Sequence, residues 1–142
     1  MHRQLLARDP QNALAHYHLG FAYGMTNRYE EEVAEYQRAV ALGLIDWTLL
    51  LNLGLVYFQQ ADFARAAELL RVAELLAPGI AEPHYNLALT YERLGMLRQA
   101  EQEGLAALAL APRDPDIRNT LAILYAERVC RCAPGMVSAA RG

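Results

Sequence analysis

The 142-residue chain contains no lysine at all; its 13 basic residues are all arginine. This reads as the codon bias of a GC-rich genome rather than a set of chosen phosphate donors. There is no basic excess either: 13 basic against 16 acidic residues leave a net charge of −3, which excludes the strongly basic footprint of a nucleic-acid binder. Cysteine is nearly absent. Cys130 and Cys132 alone cannot staple a fold of this size, so a reducing, cytoplasmic setting is expected. The first nine residues hold no apolar run long enough for a signal peptide. Charged residues make up only 20% of the chain and hydrophobic ones 54%, which excludes disorder for the bulk of it. One apolar stretch, residues 39–58, approaches the roughly 20 residues of a membrane span. Asp46 in its middle would cost about 2.5–3.5 kcal/mol on insertion, and Gly43 and Asp46 read better as a helix stop and a helix start. No membrane span is expected.

What the chain does have is a period of 34. Tyr23, Tyr57, Tyr91 and Tyr125 keep it, as do Leu19, Leu53, Leu87 and Leu121, and Ala39, Ala73 and Ala107. Gly20 and Gly54 are followed in register by Ala88 and Ala122, and Pro78 by Pro112. Apolar spacing within each unit is helical: Leu50, Leu53, Val56 and Tyr57 form one stripe, and Phe63, Ala66, Ala67, Leu70, Ala73 and Leu76 another. The short polar link between them, residues 59–62, joins an antiparallel pair. The small residues at 20, 54, 88 and 122 let two helix backbones approach. The proline after a pair ends the unit; in the first unit Gly43 and Asp46 take over that task.

These residues resemble the tetratricopeptide repeat family: Leu19-Gly20-x2-Tyr23, Leu53-Gly54-x2-Tyr57 and Leu87-Ala88-x2-Tyr91, each followed by Tyr29, Phe63 or Leu97 and then by Ala39, Ala73 or Ala107. The resemblance covers about residues 10–129. It implies an all-α, right-handed solenoid of stacked antiparallel helix pairs. The expected divisions are a remnant of a preceding repeat at 1–12, units at 13–46, 47–80 and 81–114, a capping helix at 115–129 with a polar outer face, and a disordered tail at 130–142. Residues 2–8 align with the end of a second helix, so the chain is expected to begin inside a repeat. Two departures, Glu32 in place of Ala66 and Ala100, and Gly104 in place of a bulkier residue, are expected to loosen packing locally.

Solenoids of this kind bind on their concave face, which in this family is lined by the first helix of each unit. The candidate groove residues are Tyr17, His18, Phe21, Met25, Leu51, Asn52, Leu55, Phe58, Tyr85, Asn86, Leu89 and Asn119. Phe21, Leu51 and Leu55 have the alternative of packing against neighbouring helices. Asn52 and Asn86 occupy one register position in successive units, where an amide can donate to and accept from a peptide backbone; this is similar to the asparagine ladders of repeat superhelices attached to glycosyltransferases. A solvated helix face would serve asparagine equally well.

The anion clamp known in this family, which takes acidic chaperone tails, needs a basic residue and an asparagine where this chain has Tyr17 and Phe21, an asparagine at Asn52, and two basic residues where it has Glu82 and Asn86; only Asn52 fits it. His16 and His18 are two residues apart and face different ways, with no carboxylate in sequence to complete a metal site. His84 stands in the register of His16, a packing position. Glu30-Glu31-Glu32 suits a helix N-terminus. No catalytic residue, metal or cofactor is expected. The resemblance implies a non-enzymatic module with a protein or peptide partner. The alternatives are self-assembly into a homo-oligomer through open repeat edges, or service as a targeting arm of a larger enzyme. An RNA-binding pentatricopeptide array is disfavoured by its period of 35 and by the acidic balance.

Overall fold

The computed structural model describes residues 12–132. The expected remnant at 1–12 lies outside them except for Asn12, as does most of the expected tail. Among the described residues seven helices follow one another: α1 (Ala13–Met25), α2 (Tyr29–Ala41), α3 (Trp47–Gln59), α4 (Phe63–Leu76), α5 (Ala81–Arg93), α6 (Leu97–Leu110) and α7 (Pro115–Cys132). No strand occurs among the described residues, and none of the helices there is long and apolar enough to cross a membrane.

Local chemistry sets the boundaries. Asn12 caps α1 by accepting from the Ala15 N–H at 3.0 Å, and Asp46 caps α3 through Thr48. Asp114 accepts from two amides at the start of α7, where Pro115 takes the first helical position. The three hairpin turns share one solution. Asn27, Ala61 and Gly95, 34 residues apart, each adopt a positive φ after the first helix of a unit. The next amide then folds back onto the tyrosine carbonyl of that helix, from Arg28 to Tyr23, Asp62 to Tyr57 and Met96 to Tyr91. Gly43, at φ +96°, ends α2 in the same way and stands in for the missing proline.

Within each unit the two helices pack over a small residue. A Cβ on Gly20 would lie 2.7 Å from the Tyr36 ring, and one on Gly54 would lie 3.0 Å from Leu70. In the third unit the assignment is reversed: Ala88 occupies the first-helix position and Gly104 the second. A Cβ there would come within 2.8 Å of Leu121, whose side chain reaches in from α7. Gly104 therefore seats the next helix and does not loosen the array. Glu32 does not loosen it either, for a reason given below.

The first helices form the inner row, α3 against α5 and α5 against α7, while each second helix packs on the first helix of the next unit. The seams are unequal. α4 and α6 pack extensively on α5 and α7, whereas α2 meets α3 along a much shorter strip. Leu50, Leu70, Leu87, Tyr91, Leu97 and Leu124 make one core across the later seam; Tyr36, Leu49, Leu53, Val56 and Tyr57 make a second across the earlier one. Fully burying such a leucine contributes about 1.5–3 kcal/mol.

Two expectations are corrected at the C-terminal end. The last helix does not stop at 129 but continues through Cys132, so residues 130–132 are helical and Cys130 is half-buried. Nor is its outer face purely polar, since Ile123, Tyr125 and Val129 are exposed.

The packing distances order two substitutions. Gly20→Ala has no room beside a fully buried ring, and its overpacking cost of roughly 1–3 kcal/mol should exceed the helix-propensity gain of about 1 kcal/mol. At Gly54 the facing leucine can yield, and the two effects should nearly cancel. Urea denaturation should therefore show Gly20→Ala clearly less stable than wild type and Gly54→Ala close to it.

Candidate functional site

The residues expected in the groove separate into distinct environments. Phe21 and Met25 on α1 are 52% and 73% exposed. Together with Asn52 and Leu55 on α3 they line a cavity of about 270 Å³ between the two helices. Its remaining wall includes Gly24, Asn27, Tyr29, Glu32, Tyr36, Val56 and Gln59. Leu51 is corrected: at 4% exposure it belongs to the core with Leu50, Ala67 and Leu70 and offers nothing to a ligand. A run of three leucines cannot all face one way on a helix, and the side that meets α4 and α5 takes this one.

Tyr17 and Tyr85 act across units in the same way. The Tyr17 hydroxyl reaches Thr48 and receives the Asn52 amide N–H, each at 3.4 Å, while that of Tyr85 lies 3.4 Å from Thr120. The Tyr17 ring also packs near Tyr36 and His18. Asn86 turns its amide onto the Glu82 carbonyl of its own helix at 2.9 Å, so the two asparagines are not equivalent. Phe58 stacks edge-on against Phe63 with the Arg93 guanidinium over its other side. Leu89 is half-buried and Asn119 exposed. Phe21, Met25, Asn52 and Leu55 are thus brought to one hollow, and Tyr85, Asn86, Leu89 and Asn119 lie further along the row.

The acidic run at the start of α2 divides into three roles. Glu30 is exposed, Glu31 pairs with Arg28 at 2.9 Å, and Glu32 is buried. Glu32 hydrogen-bonds the Tyr36 hydroxyl, and burial pushes its carboxyl above the usual range. Burial and the adjacent Glu32 charge push the Tyr36 phenol upward as well. The carboxylate fits because position 24 is glycine: a Cβ there would stand 2.5 Å from a Glu32 oxygen.

The histidines have the carboxylate partners that the sequence reading did not find. His16 Nδ1 lies 2.5 Å from Glu35, and His84 Nδ1 lies 2.9 Å from Glu103 and 3.3 Å from Glu74. His84 Nε2 faces the Pro78 carbonyl at 3.2 Å. The signal was present, since His16 and His84 are 68 residues apart, as are Glu35 and Glu103. Glu74, His84 and Glu103 offer ligand-type atoms within 4.8 Å of one another; in this geometry they form a hydrogen-bonded ionic cluster tying α4, α5 and α6 together. A larger hollow of about 530 Å³, between α2 and α4 and lined by Val40, Tyr57, Leu69 and Val72, was not foreseen because second-helix residues were read only as core.

The sequence matches the tetratricopeptide repeat family over residues 3–44 and 51–115, more than half its length. The chain belongs to that family. Among curated proteins, the BBSome complex member BBS4 of Xenopus tropicalis is 27% identical over 115 residues, which cover 81% of this chain. The chain spans only 22% of the length of that relative. Among solved structures, the first repeat domain of Spaghetti (RPAP3), bound to the HSP90 peptide SRMEEVD, superposes with a TM-score of 0.79 at 21% identity, covering 85% of this chain and 96% of that one. YrrB, described as having an unusual peptide-binding site, gives 0.85 at 23%, covering 92% and 67%. MamA gives 0.86 at 20%, covering 92% and 76%. At these identities the structures establish a shared tetratricopeptide solenoid, a fold of protein-interaction modules.

The His84 cluster gives a pH signature. Burial lowers the affinity of the ring for a proton, but the Glu103 hydrogen bond, the Pro78 carbonyl and the charges of Glu74 and Glu103 together raise it above 6.5. A histidine raised on folding stabilises fully below its unfolded value and loses that contribution as pH climbs through the folded one. The stability advantage of wild type over His84→Gln should therefore be largest at about pH 6 and shrink toward about pH 8. Thermal denaturation of both proteins across that range checks it.

Proposed function

We propose that this chain is a non-catalytic module that holds a peptide segment of a partner protein in its concave groove, centred on the hollow between α1 and α3. The observation that carries this reading is the pairing of two exposed apolar side chains, Phe21 and Met25, with a hollow that also presents an amide, Asn52. Large apolar side chains left in water beside a cavity mark interaction surfaces. Two structural neighbours are described as peptide binders, which supports the same use of the fold here. The acidic-tail mode is not favoured: Tyr17, Glu82 and Asn86 stand where cations would be needed, and Glu82 would repel a carboxylate. A cytoplasmic setting, from the cysteine usage, is part of the proposal.

Selection from a random peptide library displayed on phage provides the test. Wild type should enrich binders, and a Phe21→Ala, Met25→Ala, Leu55→Ala variant should bind them at least about tenfold more weakly. Val72→Ala and Leu75→Ala on α4 should leave binding unchanged. Equal binding by the groove variant would remove the assignment.

A second reading has its own observation. Leu105 and Tyr125 are exposed at a hollow of about 360 Å³ between α6 and α7, which suits stacking of one copy on another. Light scattering should then show a mass that rises with concentration in wild type and not in Tyr125→Arg. A monomer at every concentration would exclude it.

A further inference from the structure

We propose that the hollow between α1 and α3 is a receptor for a basic side chain, arginine or lysine, of the segment held in the groove, with the Glu32 carboxylate as its counter-charge. This rests on the peptide-binding reading and adds what the groove selects.

Four observations meet at this point. Glu32 occupies the register of Ala66 and Ala100, where a small residue suffices for packing, so the acid is not needed to build the helix pair. It is only 7% exposed yet forms part of the cavity wall. Gly24 takes the register of Phe58 and Glu92, and the space its missing side chain leaves is the space the carboxylate fills. Two departures from the repeat pattern thus combine to place one acid at the hollow. Finally, among the described residues that line it, Glu32 is the one that carries a charge. Arg28, close in sequence, is engaged with Glu31 and lies over the Tyr23 ring at 4.8 Å.

The rest of the wall matches a long cationic side chain. Met25, Leu55 and Val56 suit a methylene stem, and the rings of Phe21 and Tyr29 suit a cation above them. Asn52 commits its N–H to Tyr17, leaving its carbonyl oxygen to accept. At about 270 Å³ the cavity falls below the roughly 300–1,000 Å³ of sites that enclose whole small ligands, a size suited to one side chain. Burial of Glu32 without a cation raises its carboxyl pKa; an arriving cation relieves that cost, which breaking a buried pair restores.

The experiment screens wild type and Glu32→Gln against the same random peptide library. Wild-type binders should carry arginine or lysine at one fixed position. In Nα-acetylated synthetic versions, replacing that residue by norleucine should weaken wild-type binding roughly tenfold to a hundredfold. The same replacement should change binding to Glu32→Gln by less than about twofold. Glu32→Ala, which installs the residue found at 66 and 100, repeats the comparison, with circular dichroism confirming that both variants fold. If wild type and variants select the same peptides with no basic position, the receptor proposal is wrong while the groove reading stands. If wild type selects no peptide at all, the groove reading fails and takes this proposal with it.

Discussion

The structure depends on one steric arrangement: within each helix pair a residue with little or no side chain faces a large one. Gly20 meets Tyr36 and Gly54 meets Leu70, and in the third unit Gly104 makes room for Leu121 of the following helix. Close approach lets the apolar stripes of both helices bury against each other, and that burial supplies most of the favourable free energy in a fold whose units touch only their neighbours. The series also shows that a repeat is a constraint on summed volume rather than on identity. Tyrosine, leucine and glycine occupy one register, and each is accommodated by what stands opposite.

Much of this was legible in the sequence because the repeat displays the same physical problem several times. The period of 34, the small residues, Gly43 and Asp46 each specify a local geometry that any tertiary context must satisfy. The positive-φ turn at Ala61 was less visible. Alanine is not a residue that announces the left-handed region, and only its register with Asn27 and Gly95 reveals it. The helical state of residues 130–132 was misjudged because a lost apolar period was read as lost helix.

The candidate site was only half legible. Phe21, Met25, Asn52 and Leu55 follow from helical spacing around the Leu-Gly pairs. Leu51 does not, because periodicity alone cannot distinguish a groove-lining leucine from one covered by the next unit. Glu32 was readable as a departure from the pattern but not as a feature of the hollow. Its meaning depends on Gly24, eight residues earlier on the opposing helix, and that proximity exists only once the hairpin closes. The histidine–carboxylate pairs illustrate the converse: their partners, 19 residues apart, recur in register and were there to be compared.

The unequal seams carry a mechanical consequence. The first helix pair meets the second along a short strip, and the later pairs are joined by broad ones. In a linear array of this type, opening begins where the interfacial free energy is smallest. The first hairpin is therefore the element whose separation from its neighbour costs least, with residues 42–46 as the joint. The hollow bridges that joint, with walls contributed by α1 and α2 on one side and α3 on the other. A molecule lodged in it would clamp the first hairpin to the second.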